Sequence, residues 1–98
     1  VTIDFSVGVL GSGPLGRGIS TLLGSAGYQV HLGTRRPAAI ALAGLPEAVK
    51  IGSIELAARS EIVFLAVMHQ ASRGLVSRLE TMLEGKILID CDNAWLPA

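Results

Sequence analysis

Gly11, Gly13 and Gly16 stand in the spacing G-x-G-x-x-G, filled out by Ser12, Pro14 and Leu15. The pattern acquires chemical meaning only where it leaves a strand and opens a helix. Both conditions are expected here. Ser6 to Leu10 reads as a strand, and Pro14 to Ala26 as a helix whose Leu15, Ile19, Leu22, Leu23 and Ala26 form one apolar stripe. In that setting Gly11 permits the tight turn off the strand. Gly13, lacking a Cβ, lets a diphosphate reach the backbone, and Gly16 lets the helix pack closely on the sheet. Unpaired N–H groups and the helix dipole then hold the negative charge. The alternative is that the glycines serve turns and packing alone. Gly16, Gly18 and Gly24 each cost a helix about 0.8–1 kcal/mol relative to alanine, which is easier to accommodate if Gly16 has a purpose. Gly18 and Gly24 default to close packing.

The second group is Thr34-Arg35-Arg36, where the second strand ends. In NAD-binding versions of this arrangement an acidic residue here accepts hydrogen bonds from the adenosine 2′-hydroxyl. No Asp or Glu occurs between Asp4 and Glu47. A hydroxyl and two guanidinium groups stand in its place, and guanidinium suits bidentate contact with phosphate oxygens. NADP is therefore expected over NAD. The plainer reading leaves one or both arginines as solvated loop residues.

Later strand ends offer further candidates. Ala66-Val67-Met68-His69 follows the fourth strand and Asp90-Cys91-Asp92-Asn93 the fifth. Ligands in doubly wound sheets lie beyond such carboxyl ends. His69 is either a contact to the cofactor or its hydride partner, or a loop histidine before a helix. Asn93 either hydrogen-bonds near the carboxamide or ribose, or serves a turn. Cys91 reads as packed rather than reactive. Asp90 and Asp92 have no accompanying His or Cys cluster, so no metal site is expected.

The elements that must position these residues alternate short apolar runs with helical patterns, the rhythm of a parallel sheet covered on both faces. After the first strand and helix, Gly27 is placed to end that helix and Tyr28–Leu32 is the second strand. Pro37 starts a short helix ended by Gly44 and Pro46, and Val49–Ile51 is the third strand. Ser53 caps a helix over 54–59, Ile62–Val67 is a buried fourth strand, a helix runs from about Ala71 to Leu83, and Ile87–Asp90 is the fifth strand. The expected fold is a three-layer α/β doubly wound parallel sheet of Rossmann type, with strand order 3-2-1-4-5 and right-handed crossovers.

Composition narrows the function classes. Half of the 98 residues are apolar and 16% charged, which is a globular balance. Eight basic and eight acidic residues cancel, leaving no field for nucleic acid or an anionic membrane. The longest apolar run, Ile62 to Met68, is too short to cross a bilayer. No signal peptide is evident at Val1-Thr2-Ile3-Asp4, and the single Cys91 fits a reducing compartment, so the expected location is the cytoplasm. Trp95 and Leu96 suggest an apolar contact with further chain or a partner subunit, which leaves room for a homodimer.

Four segments together carry a family resemblance: Val7-Gly8-Val9-Leu10-Gly11-Ser12-Gly13, Gly33-Thr34-Arg35-Arg36-Pro37, Ile62 to Val67, and Gly85-Lys86-Ile87-Leu88-Ile89-Asp90. Over nearly the whole chain they resemble the N-terminal domain of deazaflavin-dependent NADP oxidoreductases. They also resemble the cytosolic NADPH domain of the six-transmembrane epithelial antigen metalloreductases. The resemblance implies an NADPH domain exchanging hydride with a flavin or deazaflavin, electrons continuing through heme to metal ions in the membrane branch. It further implies that Ser12, Thr34, Arg35 and Arg36 occupy cofactor-binding positions and that Asn93 matches the Asn of an Asp-x-Ser/Thr-Asn-Pro ending. The chain departs at Asp92 and Ala94, and Met68-His69-Gln70-Ala71 lacks the Pro-Trp of many soluble members.

The expected reading is thus a dinucleotide-binding domain over residues 1–98, the N-terminal part of a longer protein, binding NADP(H) for hydride exchange with a flavin-type partner. No side chain need act as acid or base in such a transfer, so no catalytic residue is named. The alternatives are an NADP(H)-sensing or interaction module without turnover, a Rossmann-fold interaction protein that has lost its ligand, and another NADP enzyme such as an imine or hydroxyacid reductase.

Overall fold

A computed structural model of the chain describes residues 5–37, 44–67 and 69–91, with the side chains of residues 69 and 70 outside the description. The elements run β1 (Ser6–Leu10), α1 (Pro14–Ser25), β2 (Gln29–Gly33), β3 (Val49–Gly52), α2 (Ile54–Ala58), β4 (Ile62–Leu65), α3 (His69–Arg78), α4 (Glu80–Leu83) and β5 (Ile87–Asp90). All strand pairs are parallel, in the order β3-β2-β1-β4-β5. The expected sheet and strand order are those found. The expected helix after Pro37 falls mostly outside the described residues.

The strands are short and apolar because both faces are covered. On one face Val9, Val30, Leu32 and Val49 pack with Ile19 and Leu23 of α1. On the other, Leu10, Val63 and Leu65 pack with Ile54, Ala57 and Ala58 of α2 and with Leu79 and Leu83. Each fully buried Val, Leu or Ile among them contributes about 1.5–3 kcal/mol. β5 stands apart: it forms one edge of the sheet, and Ile87, Leu88 and Ile89 are exposed, Ile87 by 61%. Among the described residues no helix is long and apolar enough to cross a membrane.

Two helices depart from their expected form. The stripe facing the sheet from α1 is the line Gly16, Ser20 and Gly24, with Ile19 and Leu23 half-buried beside it. Leu15 and Leu22 instead face outward, Leu22 by 75%. The cause is closeness: a Cβ at Gly24 would sit 2.8 Å from Val49 Cγ2, so small residues occupy the contact line and rotate the leucines away. The expected single helix over 71–83 begins at His69 and is broken at Leu79, whose φ of −100° and ψ of 10° separate α3 from α4. Leu79 N–H still bonds Leu75 O at 3.0 Å, and Leu83 N–H bonds Leu79 O at 2.9 Å. Leu79 and Leu83, four residues apart, are both buried against the sheet.

Ser53 caps α2 as expected, its hydroxyl accepting from Leu56 N–H at 3.1 Å. Ser53→Ala is expected to cost about 1 kcal/mol, lowering the melting temperature by roughly 4–8 °C in a domain of this size. Ser53→Asp, which preserves the cap, should melt close to the parent. Thermal unfolding followed by circular dichroism checks both.

Candidate functional site

The strand register places the carboxyl ends in one row. Leu10 lies level with Gly33 and Leu65, Gly33 with Gly52, and Leu65 with Asp90. The next residue of each strand is therefore Gly11, Thr34, Ser53, Ala66 or Cys91. Hydrogen bonds stitch this row together: Gly11 N–H to Gly33 O at 2.9 Å, Thr34 N–H to Gly52 O at 3.0 Å, Ala66 N–H to Leu10 O at 2.8 Å, and Cys91 N–H to Leu65 O at 3.0 Å. The chain reverses its direction of travel across the sheet between β1 and β4, where doubly wound folds open a ligand crevice.

A groove of about 1000 Å³ lies there. That is at the upper end of the roughly 300–1,000 Å³ common for small-molecule sites. Its floor is Gly11, Ser12 and Gly13, one wall is Thr34, Arg35 and Arg36, and Ala66 and Val67 stand opposite. Gly11 has φ +117°, and a Cβ there would run into the carbonyl of Ala66, so only glycine fits. Gly16 is buried beneath the turn, where a Cβ would collide with the Gly11 carbonyl. Its close approach is thus to its own turn, with Val9 of the sheet as a second neighbour.

Gly13 behaves differently. It holds an ordinary extended backbone, φ −73° and ψ −173°, and a Cβ there would meet nothing within 4 Å. The protein itself does not require glycine at this position, and the open space adjoins the start of α1. That helix has no side-chain cap and no acidic residue in its first turn, and Pro14 occupies its first position. The N–H groups of Leu15 and Gly16 have no intrahelical partner by the geometry of any helix start. Positive charge at the helix end and an uncrowded glycine suit an anion.

Thr34 is 7% exposed, and its hydroxyl accepts from Ser12 Oγ at 3.1 Å and from Arg36 N–H at 3.3 Å. These contacts tie the glycine turn to the arginine loop. Thr34 itself is among the residues that line the groove. Arg35 and Arg36 are exposed at the rim.

Of the expected site residues, Gly11, Ser12, Gly13, Thr34, Arg35, Arg36, Ala66 and Val67 line one groove. Pro14, Leu15 and Gly16 are outside its lining: Pro14 and Leu15 are exposed on α1 and Gly16 is buried under the turn. His69 begins α3, while Met68 and Asn93 lie outside the described residues. The groove also takes in Ile54, Ala71, Gly74, Leu75 and Arg78, which sequence reasoning did not single out. Ala71, Gly74, Leu75 and Arg78 have the spacing i, i+3, i+4, i+7 of one helix face. Two small residues beside an arginine on that face were the available signal.

Cys91 ends β5. Burial raises its thiol pKa above the ordinary value, and the nearby Asp90 carboxylate raises it further. The thiol form therefore dominates at neutral pH and alkylation by iodoacetamide is expected to be slower than for an unfolded cysteine. As the chain's one cysteine, it allows mass spectrometry of native and denatured protein to check this directly. Among the described residues no group of three or more His, Cys, Asp or Glu is placed to hold a metal ion.

Residues 6–94 match the family described as NADP oxidoreductase coenzyme F420-dependent. The metalloreductase STEAP3 of Rattus norvegicus is 39% identical over 89 residues, covering 89% of this chain and 18% of that protein. A crystal structure from Arthrobacter sp. FB24, assigned provisionally as an F420-dependent NADP-reductase, superposes with a TM-score of 0.78 at 29% identity. It covers 92% of this chain and 46% of that one. The chain thus spans less than half the length of either relative.

Proposed function

Because the chain belongs to the coenzyme F420-dependent NADP oxidoreductase family, we propose that it binds NADP(H) in the groove at the β1–β4 crossover and exchanges hydride with a flavin or deazaflavin partner. The observation that carries the reading is the open space at Gly13 in a groove that Thr34, Arg35 and Arg36 also line. Gly11, Ser12 and Gly13, with the N–H groups that follow Pro14 at Leu15 and Gly16, hold the diphosphate. Thr34, Arg35 and Arg36 hold the 2′-phosphate. Ala66, Val67, Met68, His69 and Asn93 border the nicotinamide half.

When bound, NADPH supplies a hydride to the acceptor. The chain's residues bind and orient, and none is required to move a proton. Such alignment alone lowers barriers by converting an encounter into a held geometry. The names of the relatives support an oxidoreductase and point to two electron acceptors, coenzyme F420 in one and metal in the other. We assign residues 1–98 as the dinucleotide-binding domain and N-terminal part of a longer, cytoplasmic or cytoplasm-facing protein. The exposed apolar edge of β5 supports further chain packing there.

The test is NADPH oxidation followed by absorbance with FMN, FAD and a deazaflavin as acceptors, run on the 98-residue chain and on the parent protein. Acceptor-dependent oxidation by the parent is expected. Tight NADPH binding without turnover by the parent with any acceptor would favour a sensing module instead.

A further inference from the structure

The diphosphate and 2′-phosphate positions occupy only part of the groove. The remainder is bounded by Ile54, Val67, Ala71, Gly74 and Leu75, a small and aliphatic surface. A Cβ on Gly74 would meet nothing within 4 Å, so the space beside α3 is open there. At its margin stands Arg78, in the last turn of α3. Arg78 Nη2 lies 3.4 Å from Glu55 Oε1, and both side chains are about half exposed, at 55% and 52%. Glu55 belongs to the first turn of α2, where a carboxylate is favoured by the helix dipole. An isolated exposed pair of this kind contributes little to stability. Its position, bridging α2 to α3 at the mouth of an apolar slot, is the more informative feature.

Resting on the NADP(H) reading above, we propose that Arg78 covers the adenine ring of the bound nucleotide, and that Glu55 is a positioning residue that holds the guanidinium over the slot. The base is joined to the ribose whose 2′-phosphate sits at Thr34, Arg35 and Arg36, so it must fall within a few ångströms of that wall. The aliphatic part of the groove is the surface suited to a flat, largely apolar heterocycle. A contact from Glu55 through one terminal nitrogen engages the edge of the guanidinium and leaves its planar face free. That face stacks on aromatic rings and attracts them electrostatically. Arg78 thereby recognises the base that NADPH and NADH share, whereas Arg35 and Arg36 recognise the phosphate that distinguishes them.

Calorimetric titration of NADPH and NADH into the parent chain, Arg78→Ala, Arg78→Lys and Glu55→Gln tests this. Arg78→Ala is expected to weaken both nucleotides by the same factor, roughly five- to thirtyfold, leaving their ratio unchanged. Arg78→Lys should recover part of the loss, because it restores charge without the plane. Glu55→Gln should produce a smaller loss of the same kind, and none when added to Arg78→Ala. Unchanged NADPH affinity in Arg78→Ala overturns the assignment while leaving the NADP(H) reading intact. A loss confined to NADPH also overturns it, since Arg78 would then hold phosphate. If the parent chain binds neither nucleotide, the NADP(H) reading fails and the assignment with it.

Discussion

Replacing Arg35 and Arg36 together with alanine is expected to weaken NADPH binding by roughly ten- to a hundredfold while leaving NADH affinity nearly unchanged. Hydrogen bonds to a charged group contribute about 1.5–3 kcal/mol each. Both arginines sit exposed on the rim of the groove, where solvent screening reduces that worth, so the lower half of the range applies to each alone. Thr34 is the more protected of the three, and its hydroxyl is tied to Ser12 and to the Arg36 backbone. The residual preference for NADPH in the double variant therefore measures Thr34. Calorimetric titration of both nucleotides at fixed ionic strength separates the two contributions. Added salt should weaken NADPH more than NADH, because only one of them brings the extra phosphate to the arginine wall.

The second large effect distinguishes two glycines of one motif. Gly13→Val is expected to abolish most nucleotide binding, by roughly a hundredfold, the upper end of the 1–3 kcal/mol that overfilling a fitted space costs. Its cost in thermal stability should stay near about 1 kcal/mol, the loss expected when a poor N-cap residue replaces glycine at the start of α1. The backbone of Gly13 is one any residue adopts, and no atom stands in the way of a side chain except a ligand. Gly16→Ala should be dominated instead by a loss of stability. Its Cβ meets the Gly11 carbonyl, a backbone atom with no room to yield. An overpacking cost of about 1–3 kcal/mol outweighs the 0.8–1 kcal/mol of helix propensity that alanine gains. The variant should melt several degrees lower. Melting temperature and affinity measured on both variants separate the ligand-facing glycine from the packing one.

The parts of this molecule legible in its sequence are those governed by local rules. Strand positions followed from runs such as Ile62 to Leu65, apolar because both faces are covered. The cap at Ser53 followed from the preference of hydroxyls for helix starts. The groove floor and arginine wall followed from the rule that ligands gather beyond strand ends. What escaped depended on distance between elements. Leu15 and Leu22 fit a helical stripe, yet α1 lies so close to the sheet that Gly16, Ser20 and Gly24 make the contact. The break at Leu79 has no glycine or proline to announce it, and the i, i+4 spacing of the buried Leu79 and Leu83 reads equally as one continuous helix. Arg78 and Glu55 meet across two helices, a pairing that no spacing within either segment encodes.

In the proposed function this groove holds a phosphorylated dinucleotide through the turn after β1 and the loop after β2. Calorimetric titration of the unmodified 98-residue chain with NADPH and, separately, with NADH tests it most directly. One saturable site for NADPH is expected, with an NADH affinity at least about tenfold weaker. No binding of NADPH, or equal affinity for the two nucleotides, would contradict it.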